Sequence, residues 1–456
     1  MNIRRWKVTL PALTGGGLCG LFLAFSVLVG RAAEQASVPP PAPPQEVLRL
    51  DEAIRISLDN QPRIQAALGK VGSQNALLGQ QFSAYYPTIT ESNSYRSSTS
   101  SGSGDSVSAR ARDRFNGQAT MNMTLYNFGK REGTVQSARE SLEAANQDYK
   151  TVINDVVLAV KQAYFSYLQA AALVKVREET VRGRGLLVRQ ARAFYEVGTR
   201  PRIDVARAEA NLYSAQADLI AAQNAVKVAW TVLKNAMGTP DFPERSVAEE
   251  LTMMAFSMTL EEAKAAAFAA RPELHSFEAQ KKAQDQKIAA ARRGHLPDVL
   301  FTGSYGRTGS SPSSFTSHPE TFPLQAFWTA QLSLNIPIFD GFNTTYKVEE
   351  AVKTYYTIKA QEETQKQLVA LDVEQSYLRL LEARERIKAT EAGERAAKEN
   401  LDLANGRYQV GVGSIIEVTD AQTLYTSAET DRIRTLYDYK IFEAQLARAV
   451  GGGVSP

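Results

Sequence analysis

The sequence predicts an α+β membrane fold made of two tandem repeats, in which long coiled-coil helices run on from strands of transmembrane length. Three observations carry this expectation. The chain matches itself at a nearly constant offset, strand segments in it alternate with a period of two, and Phe128 to Phe194 runs for 67 residues without a proline. Such a stretch spans roughly 100 Å as a helix.

The chain begins with a segment that reads as an export signal over residues 1–32. Arg4, Arg5 and Lys7 precede an apolar run from Leu18 to Val29, and Gly30 and Ala32 place small residues at −3 and −1 of a cut. The rival reading is a retained anchor, since Val8 to Gly30 is uncharged and long enough to span a bilayer. Pro11 and the glycines at 15–17 weaken that rival. Four of the 52 basic residues lie in the leader, which leaves 48 against 49 acidic, so the basic pI of 8.7 does not argue for nucleic acid. Cys19 also lies in the leader. The mature chain then has no thiol for catalysis, disulfides or thiolate metal sites. Three widely spaced histidines make no metal cluster, and a mean hydropathy of −0.28 excludes a polytopic helical membrane protein. Residues 33–47 form a proline-rich, extended linker.

The first repeat is expected at 48–238 and the second at 259–451, joined by a segment at 239–258 and followed by a short tail at 452–456. A shift of 210 aligns Leu50-Asp-Glu-Ala53 with Leu260-Glu-Glu-Ala263, and Pro62 with Pro272. A shift of 213 aligns Val160-x-Gln162-x-Tyr164 with Val373-x-Gln375-x-Tyr377, and Tyr195-Glu-Val-Gly198 with Tyr408-Gln-Val-Gly411. Ungapped agreement over such distances indicates duplication.

Each repeat reads in the same order: helix, two strands, a very long helix, a turn and another long helix. Residues 50–85 and 260–295 are helical until Pro87 and Pro297. Strands are expected at 88–97, 114–125, 298–307 and 327–338. In the second of these, Phe115, Ala119, Met121 and Met123 oppose Asn116, Gln118, Thr120 and Asn122. In the fourth, Trp328, Ala330, Leu332 and Leu334 oppose Thr329, Gln331 and Ser333. One apolar and one wet face result. Glu91 falls on an apolar face, where these rules give it no reason to be. The stretches Gly102-Ser-Gly-Asp105 and Gly309-Ser-Ser-Pro-Ser-Ser314 read as outer loops. In the long helix, Ala138, Leu142, Ala145, Tyr149, Val152, Val156, Ala159 and Ala163 recur at alternating steps of four and three, a coiled-coil seam. Glu362, Gln365 and Asp372 make the matching seam of the second repeat wetter. Gly183 and Gly185 are expected to disturb the first long helix near its far end.

Four amphipathic strands cannot close a membrane barrel, whose smallest form has about eight. Open edges in lipid are not tolerated. Several copies must therefore share one barrel, and three give twelve strands: an α-helical coiled-coil barrel continuous with a shared 12-stranded transmembrane β-barrel, four strands per chain in a homotrimer. That is a conduit, not a pocket.

The chain here resembles the TolC family of outer-membrane efflux proteins. The resemblance covers Leu48 to Gly451. It rests on the Leu-x-Glu-Ala start of each half, on Leu-Tyr-Asn-Phe-Gly129 and Ile-Phe-Asp-Gly341, and above all on two Tyr-x-Val-Gly turns leading into Ile-(Asp/Glu)-Val-x-x-Ala. It implies a trimeric outer-membrane channel with a long periplasmic extension, docked by a periplasmic adaptor and an inner-membrane pump or ATP-driven transporter. No cofactor, metal or catalytic residue is implied. Small-molecule efflux and type I protein secretion remain the two channel readings, and nothing in the sequence separates them. A structural coiled-coil surface protein would explain the heptads but not the alternating strands.

The site residues follow from the resemblance. The tip turns at Val197 and Gly198, and at Val410 and Gly411, are expected to dock the adaptor. Glycine suits a sharp helix reversal that needs positive φ. Glu417 and Asp420, three residues apart on one helical face, match positions where the family carries acids at the periplasmic constriction. Asp204 is the first repeat's counterpart of Glu417. Gly413 stands where an arginine can occur in the family; Arg200 holds the matching place in the first repeat and is the candidate partner. A plainer alternative is that Ser414-Ile-Ile-Glu417 is a capping box. Arg177, Arg182, Arg184, Arg189, Arg192, Arg200, Arg202 and Arg207 form either a solvated helix face or part of a docking surface.

Overall fold

The computed structural model describes residues 47–100, 110–249, 258–312 and 324–452. The leader, most of the proline-rich linker and the loop at Gly102–Asp105 lie outside the described residues.

The first repeat contains α1 (Leu50–Asn60), α2 (Pro62–Phe82), β1 (Thr88–Ser100), β2 (Arg110–Tyr126), α3 (Lys130–Glu196) and α4 (Arg202–Met237). The second contains α5 (Leu260–Ala270), α6 (Pro272–Arg292), β3 (Asp298–Pro312), β4 (Gln325–Asn335), α7 (Asn343–Gln409) and α8 (Ile415–Ala449). The duplication is kept almost residue for residue: α3 and α7 each have 67 residues, and α2 and α6 each have 21.

Several sequence expectations need correction. The helices expected at 50–85 and 260–295 are each broken once, at Gln61 and Arg271. Those residues are extended because the prolines that follow them occupy the first helical position, and the residue before proline avoids the α region. Gly183 and Gly185 do not interrupt α3. Each glycine costs about 1 kcal/mol in a helix, but Leu187, Val188 and Ala191 lock that turn into a cluster with α4, α7 and α8. Gly183 instead opens a cavity of about 270 Å³ lined by residues including Arg184, Gln422 and Glu429. Residues 309–312, read as loop, belong to β3; 313–314 lie outside the described residues. Strand β4 ends at Asn335, not 338, because Pro337 has no N–H to offer the ladder.

The strands form one antiparallel sheet in the order β1-β2-β3-β4, so β1 and β4 are open edges in a single chain. Register places Ile89 opposite Met121, and Tyr305 opposite Ala119 and Trp328. Leu332 lies opposite Phe301, which makes one continuous apolar face. Trp328 and Leu332 are 75% and 68% exposed on it. Glu91 does sit on this face, two residues from Asn93, whose Nδ2 donates to Glu91 Oε1 at 3.1 Å. That bond is the partner the sequence could not supply.

Where the strands become helices, two successive residues take left-handed φ in each repeat: Phe128 (55°) and Gly129 (87°), then Gly341 (65°) and Phe342 (66°). Glycine fills one place of each pair at no steric cost; phenylalanine takes the other, a position rare for bulky residues. Edge-on stacking of Phe128 on Tyr126 and of Phe342 on Phe339 holds them.

The helices pack around α3, which contacts α2, α4, α6 and α8. In its seam Ala145, Val156 and Ala163 are buried and the other five residues half-buried. The second seam is no more exposed, with Glu362, Val369 and Ser376 buried and its other five residues half-buried, so the expected wetter seam is not found. Glu362 is buried between Lys281 and Lys366, and Asp372 pairs with Arg271 at 3.0 Å and Arg448 at 3.2 Å. Ion pairing within the helix packing replaces solvation there. At the waist, Leu48 pairs in parallel with Val247, and the Tyr164 hydroxyl donates to the carbonyls of Leu48 and Ala248.

Candidate functional site

Both tip turns are built alike and lie side by side. In the first, α3 ends and Gly198, at φ 76°, reverses the chain; the Thr199 N–H donates to the Phe194 carbonyl at 3.0 Å. In the second, Gly411 takes φ 86°, and the N–H groups of Val412 and Gly413 both donate to the Arg407 carbonyl, at 3.0 and 2.8 Å. A Cβ on Gly198 or Gly411 would meet nothing within 4 Å. The apices, Val197, Val410 and Val412, are all more than 70% exposed.

The base of the two turns is a shared apolar cluster. Tyr408 is fully buried in it, edge-on to Phe194 at 5.5 Å, beside Leu187, Ala191, Ile415 and Val418. Burial pushes the Tyr408 phenol above its ordinary pKa; the Asp204 charge adds to this and Arg200 opposes it.

Arg200 crosses between the turns. Its guanidinium donates to the carbonyl of Gly411 at 2.9 Å and to that of Gly413 at 2.6 Å, with the Tyr408 ring 5.6 Å away. Within the chain it therefore binds backbone carbonyls of the second turn instead of the acids of α8. The equivalent position, Gly413, has no room for a side chain: its Cβ would lie 2.9 Å from Tyr408 N and 3.0 Å from Arg407. One turn supplies the arginine and the other the acceptors.

Glu417 and Asp420 are both exposed on one face of the first turns of α8. The capping reading is half met. Ser414 Oγ accepts from the Glu417 N–H at 3.2 Å, but the Glu417 carboxylate turns to Arg407 Nε at 3.3 Å rather than back to the cap. Asp420 makes no ion pair among the described residues. Asp204 is half-buried near Tyr408 on α4. The arginine set does not act as one face. Arg192 pairs with Glu209, Arg182 with Glu179, and Arg184 donates to the Asn211 carbonyl at 2.8 Å.

Sequence reasoning missed two members of this site. Tyr408 was visible only as the first letter of a turn motif, and its burial comes from packing between repeats. Arg407 as the Glu417 partner had no local signal, since the two are joined only once the turn folds. Among the described residues no group of three or more His, Cys, Asp or Glu is placed to hold a metal.

Comparison with known proteins agrees with this architecture. The family described as "Outer membrane efflux protein" matches residues 53–239 and 265–452, one segment in each repeat. The chain is 24% identical to outer membrane protein TolC of Vibrio cholerae over 70% of this chain and 72% of that protein. It is 27% identical to protein CyaE of Bordetella pertussis over 93% and 88%. The solved CmeC outer membrane channel of Campylobacter jejuni superposes with a TM-score of 0.76 at 18% identity, covering 89% of this chain and 86% of that one. The family match spans most of the chain, and it carries the conclusion that the sheet and the twin hairpins suggested: this chain belongs to the outer membrane efflux protein family, and its place is the outer membrane.

Proposed function

We propose that three copies of this chain form an exit channel for small molecules, received from a periplasmic adaptor and an inner-membrane pump. The observation that supports this most is the sheet. Four strands with one apolar and one polar face end in open edges β1 and β4, and such edges need further copies to close them in lipid. Each strand pair leads through its left-handed junction into a 67-residue helix, so a closed barrel would continue into a helical tube.

In this reading the exposed apices at Val197, Gly198, Val410 and Gly411 dock the adaptor. The acids Glu417 and Asp420 face the inner constriction, where threefold symmetry would bring like charges together and favour a bound cation. Arg200, held on the Gly411 and Gly413 carbonyls, ties the two hairpins of one chain in the closed state, with Asp204 beside it.

The test is export from cells. Deleting the gene should raise accumulation of a fluorescent efflux dye, and the wild-type gene should restore the lower level. Unchanged dye accumulation together with loss of a secreted protein would favour type I secretion instead. Absence of both defects would defeat the exit-channel reading.

A further inference from the structure

The sheet register brings two arginines face to face. Arg96 of β1 lies directly opposite Arg114 of β2, and both are exposed. Side chains directly opposite in an antiparallel pair have Cβ atoms about 4.5–5.5 Å apart, and like charges there are destabilising. Neither arginine has a carboxylate partner among the described residues.

Parity settles which face they share. Arg96 lies an even number of residues from Thr90, Ser92 and Ser94, and Arg114 alternates with Asn116, Gln118 and Thr120. This is the polar face, opposite Ile89, Met121 and Leu332. The next β3 neighbour of Arg114 is Ser310. The backbone register continues the same parity to Arg112 and Arg110.

No acid answers these charges within the sheet. The strands hold three carboxylates. Glu91 and Asp113 have the opposite parity, on the apolar face, and Asp298 sits at the helix end, held by Lys130 at 3.0 Å. Strand β4 has none between Gln325 and Asn335, so closing the barrel with further copies would add none. The loop acids Asp105 and Glu320 lie outside the described residues. Both arginines are at the strand ends remote from the helices, toward the β1–β2 loop.

We infer that Arg96 and Arg114 form a cationic collar at the outer mouth of the lumen, which binds multivalent anions bearing phosphate, sulfate or several carboxylates. The inference rests on the exit-channel reading, which puts the polar face inward and brings six such side chains into one ring. An anion bridging the two guanidiniums relieves the repulsion that the register imposes, and charge-assisted forks suit oxyanions. A wall of hydroxyls and amides below the collar offers no competing negative charge. The collar therefore favours release of anionic cargo to the exterior and holds external cations away from the lumen.

The test uses purified full-length protein in planar bilayers, inserted from one side so that orientation is fixed, with inorganic triphosphate as the probe. Wild-type channels should be blocked from the outer-mouth side. R96Q/R114Q should need about ten-fold or more triphosphate for the same block, in line with loss of a focused single-sign field. R96K/R114K should keep most of the block. If the glutamine pair does not insert, R114Q alone and the salt dependence of the wild-type block decide. Block that fails to weaken as KCl rises ten-fold would count against the collar. Triphosphate without effect on conducting wild-type channels, or block that the glutamine pair leaves intact, overturns the collar while leaving the channel. Wild-type protein that yields no channels overturns the exit-channel reading, and the collar with it.

Discussion

At the first tip turn the chain presents an arginine, and at the second it presents carbonyls. Arg200 and Gly413 occupy matching places in two hairpins of nearly the same length. One side chain reaches across, and the other position is sterically closed to any side chain. The strands differ in the same manner. The first hairpin carries Arg96 and Arg114 on its polar face, whereas the second offers hydroxyls, amides and Phe327. Duplication kept the backbone demands, seen in equal helix lengths and in left-handed residues at matching positions. What diverged are the side chains where the copies meet each other or water. In this protein, then, symmetry explains the scaffold, and departures from symmetry mark the places that bind, latch or select.

The comparison can be broken most severely at the apices. Replacing Gly198 or Gly411 with leucine puts a side chain into open space at the cost of roughly 1–2 kcal/mol of left-handed strain. Export should fall to background while trimers still reach the membrane, measured by dye accumulation and by outer-membrane fractionation. Loss of the trimers themselves would assign these glycines to folding and remove the docking role. Gly413→Ala is the internal contrast. It clashes with Arg407 and Tyr408, so it should lower trimer yield as well.

The sheet faces give the next largest effect. Leu332→Arg should cost about 2–4 kcal/mol near the middle of the bilayer, whereas Gln331→Arg, one residue away on the polar face, should cost less than about 1 kcal/mol. Unfolding in urea followed by gel mobility reads the difference. Equal costs would mean that the assignment of inner and outer faces is wrong.

Smaller effects are expected at the latch. Arg200→Gln leaves the Gly411 and Gly413 carbonyls to water and should cost about 1.5 kcal/mol, the lower end for hydrogen bonds to charged groups because the site is half exposed. Its clearer signature should be larger or more frequent openings of single channels. Conductance identical to wild type would show that the cross-turn bonds do not hold a closed state. Smallest in stability is Glu417→Gln, which loses only an exposed pair with Arg407, within about 0–1 kcal/mol. Combined with Asp420→Asn it should still alter conductance and cation preference. Unchanged values for both would remove the acids from the gate.

Periodicity made much of this fold legible. Strand faces follow from alternation, and the hairpin order follows from the repeat, because both are local patterns repeated twice. Failures came where packing overrides local preference. Gly183 and Gly185 suggested a break in α3, but the cluster around Leu187 and Ala191 carries the helix through. Glu362 and Asp372 suggested water and instead found Lys281 on α6, Arg271 just before it and Arg448 on α8. At the site, the turns and the acids were readable as motifs. The Arg200 contacts, the Tyr408 base and the Arg96–Arg114 opposition were not, since each depends on register between segments far apart in sequence.

The central claim is that the open edges β1 and β4 are closed by two further copies of the chain. Native mass measurement on the protein extracted from outer membranes in mild detergent tests it most directly. A single dominant species at three times the mass of one chain is the predicted result. A monomer or a dimer as the intact membrane-extracted species would contradict the shared barrel and everything built upon it.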